Sequence, residues 1–346
     1  MLSPRTETIL KFIVREYIAG ATPVSSQRIT NECGLIVCSA TIRNEMAYLE
    51  QESYITRPHT SAGGIPTDKS YRYYVNSLSD VRLPLAEQRL INHLFHQVER
   101  KLEEWLGLAT TLIARLAQNV AVVSVPKPRD CQFKHLELVS LQDSLALIVL
   151  VLRGARVKQQ LITFDQLISQ PELTAIANKL NETYSGLPSS QISTKGEELS
   201  PAERQITDCV LEIMQAEDKQ EYDEPYLDGW HFMLNQPEFA HSQRMRGLIE
   251  LVEQRNLLRT ITPSELSRRR VQVIIGKENK TELMRDYSVV ISGYGLPEEA
   301  SGTLSVVGPT RMPYARAISA VSYLSLVLSE LVAELYGIER HAELDE

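Results

Sequence analysis

TPVSSQRITNECGLIVCSATIRNEMAYLEQESYITRPHTSAGGIPTDKSYRYYVNS, residues 22–77, decides how this chain is read. Ser25 suits the N-cap of a helix that turns Ile29 inward. Gly34 supplies a turn that tolerates positive φ, so the chain can reverse into another helix. Ser39 is the expected cap of that second helix. Along it Ile42, Met46 and Leu49 fall at i, i+4 and i+7, the spacing of one buried stripe. Thr41, Arg43, Asn44, Ala47 and Tyr48 are left on the other faces.

A helix-turn-helix sends the N-terminal residues of its second helix to base edges. Arg favours guanine, Asn favours adenine, and Thr offers a hydroxyl and a methyl. A solvated helix face would use similar residues, so spacing alone leaves both readings open. The residues after Leu49 favour DNA. Tyr54-Ile55 reads as a short strand, and Gly63-Gly64 permits a tight return into a second one. A hairpin directly after a recognition helix is the wing of a winged helix, with Arg57, His59, Thr60 and Ser61 available to phosphate or a minor groove. Thr67-Asp68 then starts a helix on which Tyr71, Tyr74 and Val75 face inward and Lys69 and Arg72 are free for phosphate. The DNA-binding candidates are Ser25, Ser26, Ser39, Thr41, Arg43, Asn44, Tyr48, Arg57, His59, Thr60, Ser61, Lys69 and Arg72. Upstream, Ser3-Pro4 starts a helix with Leu10, Ile13, Val14 and Tyr17 on one face, and Gly20 ends it.

Charge is distributed unevenly. The chain of 346 residues has a net charge of -8, yet residues 1–79 hold eight Lys/Arg against seven Asp/Glu. Residues 191–230 carry eleven acids and three bases, a region that phosphate repels and that is expected to point away from DNA. The composition, 43% apolar and 23% charged, supports ordinary cores. No apolar run reaches the ~20 residues of a membrane span, and the N-terminus is not a secretory signal, so a cytoplasmic protein without membrane contact is expected. Cys33, Cys38, Cys131 and Cys209 form no CxxC pair and are expected to be buried or idle thiols.

Beyond residue 79, residues 84–118 read as one helix. Residues 119–125, 135–141, 145–152 and 156–163 read as strands of one sheet, and 171–185 as a helix. A polar boundary comes next at GLPSSQISTKGEELSP, then an acidic helical stretch over 200–260 closed by Pro263. Strands are expected at 271–276, 287–292 and 303–307, and a helix from about 314 to 336. The expected fold is α+β and multidomain. A winged helix spans 1–79, and an α/β domain with its linker helix spans 80–187 and 263–346. Helical residues 188–262 interrupt that domain. His93 and His96 share a helix face but find no third metal ligand nearby. Gly293-Tyr294-Gly295 lacks the third glycine of a dinucleotide fingerprint and is expected to be a loop. Around Thr310–Met312 a turn pinned by an Arg311 ion pair is expected, with an anion site as the alternative. No P-loop, HExxH or GxSxG is present, and neither catalysis nor a cofactor is expected.

SATIRNEM, PHTSAG, IPTDKSYRYYV and, near the C-terminus, GPTRMPYARAI resemble the heat-inducible transcription repressor HrcA family over nearly the whole chain. The resemblance implies a GAF-like domain carrying an inserted dimerisation domain at 188–262. It also implies a homodimer on a CIRCE-type inverted-repeat operator in double-stranded DNA ahead of chaperone operons, and an active form maintained by the GroE chaperonin. One position departs from the pattern: the family has Arg after SAG, and here Gly64 stands there. That is expected to remove a cationic contact from the wing tip. A GAF-like sheet holding a small effector is the other regulator consistent with the sequence.

Overall fold

The computed structural model describes residues 2–59, 62–79, 81–127, 131–153, 156–195, 199–219, 224–239, 242–253, 256–263, 270–296 and 300–335. It is a mixed helix-and-sheet protein. The chain starts with α1 (Pro4–Gly20), whose cap is the Ser3 hydroxyl accepting the Thr6 N–H at 3.2 Å. Gly20 is its last residue, but the left-handed position falls to Ala21 (φ 50), whose N–H returns to the Tyr17 carbonyl. Ser25 caps α2 (Ser26–Glu32) through the Arg28 N–H, and Gly34 takes φ +74 in the turn. In α3 (Ser39–Gln51) Ser39 is already helical: Cys38 holds the extended cap position and no side chain caps the helix. The expected Ser39 cap is therefore off by one residue.

The hairpin β1 (Ile55–Thr56) and β2 (Ile65–Pro66) pairs Ile55 with Pro66 and Thr56 with Ile65. Next comes α4 (Asp68–Asn76). The stretch 84–118 is two helices, α5 (Leu85–Gln97) and α6 (Leu102–Ala117), because Val98 and Lys101 take extended backbone. The chain continues through β3 (Val120–Val123), β4 (Phe133–Gln142), β5 (Leu145–Leu152), β6 (Arg156–Thr163), α7 (Gln170–Tyr184), α8 (Ser189–Ile192) and α9 (Pro201–Lys219). It ends with β7 (Tyr226–Asp228), α10 (Trp230–Leu234), α11 (Ser242–Glu253), α12 (Leu257–Ile261), β8 (Gln272–Ile275), β9 (Tyr287–Leu296), β10 (Ala300–Pro309) and α13 (Tyr314–Leu335).

Two compact units result, and their borders differ from the expected ones. The first comprises Met1–Val125, Glu224–Gly295 and Gly302–Glu346; the second comprises Pro126–Asp223 and Leu296–Ser301. Main-chain pairing explains the difference. Apart from the β1–β2 hairpin, the described strands form two sheets rather than one, a five-stranded sheet of order β7-β3-β10-β9-β8 and a three-stranded antiparallel sheet β4-β5-β6. The acidic stretch read as helical contains β7, which pairs Leu227 with Val122 in the first unit. Residues 188–262 are thus not one body: α8 and α9 belong to the second unit, and β7 through α12 to the first.

In the first unit α13 buries Ala317, Val321, Leu324, Leu328 and Val332 and packs on α6, which buries Trp105, Leu106, Ala109 and Ile113. By length and composition α13 is apolar enough to cross a membrane, and half of that span is buried inside this structure. Gly293-Tyr294-Gly295 is not a loop but lies within β9. Its Tyr294 hydroxyl donates to the Ser124 carbonyl, and Gly302 leaves room for the ring, since a Cβ there would stand 2.5 Å from it. In the second unit the inner faces of β4 and β5 (Phe133, Leu136, Leu138, Ile148, Leu150) pack with Leu173, Leu180 and Tyr184 of α7 and Val210 and Met214 of α9.

Candidate nucleic-acid interface

The faces of α3 are cleanly divided. Ile42, Met46 and Leu49 are buried where the helix packs on α1 and α2. Ser39, Arg43, Asn44 and Tyr48 are exposed, and Thr41 is half-buried. Arg43 is the helix's one cation, and it makes no ion pair among the described residues. The two acids that flank the exposed face are neutralised internally. Glu45 accepts from the Arg5 Nε and the Thr6 hydroxyl, each at 2.7 Å, and Glu50 pairs with Arg57. The exposed face therefore presents one positive charge beside short polar groups, with no carboxylate left to repel phosphate.

The other candidates separate into available and engaged groups. His59 is exposed, while Thr60 and Ser61 lie outside the described residues. The Ser25 hydroxyl is occupied as the α2 cap, and Ser26 is half-buried. Arg57 is largely buried against Glu50. Lys69 lies 4.2 Å above the Tyr54 ring and donates to the Glu52 carbonyl at 2.7 Å. Arg72 is not free: its guanidinium grips Glu278 through Nε (2.8 Å) and Nη2, and Nη2 also donates to the Val273 carbonyl at 2.6 Å. Residues far along the chain supply those acceptors, which is why spacing within 22–77 left Arg72 available.

Gly64 takes part in main-chain pairing at the hairpin. It lies at the base of the hairpin, exchanging both main-chain hydrogen bonds with Val24 (2.9 and 3.0 Å). A Cβ at 64 would start 3.0 Å from Ile55 Cδ1 and 3.4 Å from Met46 Cε. The Cβ position at 64 thus lies beside Ile55 and Met46, in register with Val24. Gly63 is the stricter glycine, because its Cβ would meet the Pro23 and Val24 backbone at 2.6 Å.

Two exposed groups beside this surface escaped the sequence reading. Ile36 stands fully exposed in the turn before α3, where Val37 N–H closes back onto the Leu35 carbonyl. Cys38 is exposed rather than buried, its sulfur 3.3 Å from the Thr41 hydroxyl. That hydroxyl, with the Thr41 and Ala40 amides, holds the thiol below its ordinary range. The signal for Cys38 was its place just before a helix start, where amides point outward. The turn at 310–312 is the pinned one: Arg311 pairs with Glu238, Nη2 at 3.0 Å, and donates to the Ile18 carbonyl.

The chain is similar to known proteins along its length. The family model for the HrcA protein C terminal domain matches residues 103–318. The heat-inducible transcription repressor HrcA of Dehalococcoides mccartyi is 56% identical over 337 residues, covering 97% of this chain and 98% of its own length. That of Roseiflexus castenholzii is 43% identical, covering 98% and 96%. A crystal structure of a hypothetical protein at 2.2 Å resolution shares the fold with a TM-score of 0.58 and 25% identity, over 96% of this chain and 98% of that one. Similarity of this extent, end to end, places the chain in the HrcA family of heat-inducible transcription repressors, which are not enzymes.

Proposed function

We propose that the chain is a homodimeric, cytoplasmic repressor of chaperone operons that binds a CIRCE-type inverted repeat in double-stranded DNA. In this reading residues 1–79 are a winged helix, α3 is the helix that enters the major groove, and the loop between β1 and β2 is the wing. The five-stranded sheet with α6 and α13 is the GAF-like body, and the GroE chaperonin maintains the active form, as the family resemblance implies. The division of α3 carries the proposal. Its apolar stripe is spent on the core, while Arg43, Asn44 and Ser39 remain exposed near its N-terminus, where recognition helices meet base edges. Two such helices on a two-fold axis match an inverted repeat.

Footprinting of the purified protein on its own upstream DNA, with and without chaperonin, tests operator symmetry and chaperonin dependence together. Arg43→Ala and Asn44→Ala should each weaken operator binding by ~1–3 kcal/mol beyond any loss on random DNA. Equal losses on both DNAs would remove these residues from base readout.

A further inference from the structure

The N-terminal helices are joined to the core sheet within one compact unit, through polar contacts at two places and an aromatic pair. At the start of α4 the Asp68 carboxylate accepts the Lys277 N–H at 3.0 Å. Gly276 there takes φ +51, and a Cβ on it would stand 2.4 Å from Asp68 Oδ2, so the carboxylate sits hard against the backbone. One turn further on, Arg72 holds Glu278 with two nitrogens and the Val273 carbonyl with one. Glu278 itself is aimed by the Ile275 N–H at 2.8 Å. Between α4 and α13 the buried rings of Tyr71 and Tyr314 lie 5.8 Å apart. Arg311, paired with Glu238, reaches the Ile18 carbonyl of α1 at 3.1 Å.

We propose that Asp68 and Arg72 are positioning residues that, with Gly276–Glu278, set the angle at which the DNA-reading helices are mounted on the core, and that Arg72 is not a phosphate contact. This rests on the DNA-binding reading above and refines it. A planar guanidinium bound at three points accepts one orientation of its partner, which a single ammonium contact would not impose. In a two-fold dimer the mount of each module determines the distance between the two reading helices. The mount thus sets which half-site spacing the dimer accepts, while each half-site is still read by α3.

The test measures binding of the full-length protein to its upstream inverted repeat, to the same repeat with the spacer lengthened by about five base pairs, half a DNA turn, and to a single half-site. Glu278→Gln should weaken native-operator binding about tenfold, equivalent to about 1.4 kcal/mol, reduce the preference for native spacing, and leave half-site binding unchanged. Arg72→Glu should do the same or more, and the charge exchange Arg72→Glu with Glu278→Arg should restore the spacing preference. Wild-type behaviour of Glu278→Gln overturns the proposal. So does a loss of half-site binding in Arg72→Glu that the exchange with Glu278→Arg fails to restore, because a carboxylate replacing a phosphate contact repels DNA wherever Glu278 has gone. If the wild type binds the inverted repeat no better than other DNA, the DNA-reading assignment itself falls, and the role of the mount with it. The Arg72–Glu278 pair is part-exposed (32% and 38%), and the thermal unfolding midpoint of each variant, recorded beside its binding curves, separates a changed mount from a lost fold.

Discussion

Cys38 shows how local geometry sets chemistry at a single residue. It is exposed at the position before α3, and the Thr41 hydroxyl, ahead of the neighbouring amides, lowers its thiol pKa. Burial, by contrast, raises Cys33, and Cys131 and Cys209 are buried. A lowered pKa enlarges the thiolate fraction at a given pH, and the thiolate is the reactive form. Iodoacetamide near neutral pH should therefore label Cys38 before the other three, as read by peptide mass spectrometry, and Thr41→Val should slow it. Labelling of Cys33 first would contradict the geometry. Gly63 makes a steric point at the same scale. Gly63→Ala forces a methyl against the Pro23 and Val24 backbone and should destabilise the fold by about 1–3 kcal/mol. An unchanged denaturation midpoint would refute that close approach.

Along an element, stability and recognition occupy different faces. On α3, Ile42→Ala empties a fully buried position and should lower stability by about 2–5 kcal/mol. Arg43→Ala, one residue on and exposed, should change it by no more than about 0.5 kcal/mol while reducing operator binding. Thermal unfolding and gel-shift assays on the two variants separate the faces, and equal destabilisation would mean α3 is not divided as described. At the start of α7 the Ser169 N–H and hydroxyl both donate to Glu172, at 2.8 and 2.7 Å. The backbone bond first, then the hydroxyl, holds that carboxyl below its usual range. A lowered folded-state pKa stabilises above the unfolded value and loses that contribution as pH falls through the folded one. Wild type and Glu172→Gln should thus differ in unfolding midpoint at neutral pH and converge in acid. A difference that persists at low pH would assign the effect to something other than ionisation.

For the whole molecule, the second unit leaves one side of its sheet open. Val139, Leu147 and Leu161 line up across β4, β5 and β6 in register, with Val139 42%, Val157 52% and Leu161 58% exposed. That row offers the proposed homodimer an exposed apolar surface, flanked by Leu141 and Val151. Leu161→Asp should convert a dimer to monomers in sedimentation velocity and weaken operator binding with it; a dimer that survives that change places its interface elsewhere. Deleting 188–262 is a poorer experiment, since it strips α9 from the second core and β7 from β3.

How much was legible depends on the range of the interactions. The first helix, the α2–α3 turn, the buried stripe of α3, the hairpin, and the strands at 120, 145, 156, 287 and 303 were readable from 22–77 and the local patterns elsewhere in the chain. Each depends on periodicity, caps and turn residues within a few positions. Helical spacing also separated Arg43 and Asn44 from Ile42 and Met46, because a helix face is a local property. The sequence by itself determined these elements, the exposed candidates on α3, and through its long motifs the family. Tertiary structure alone decided that β7 joins β3, that β4–β6 form a sheet of their own, that Gly64 faces Ile55 and Met46, and that Arg72 belongs to Glu278. Those facts rest on main-chain pairing and side-chain contacts between residues as far as 206 positions apart, and no local pattern records which distant group completes a hydrogen bond.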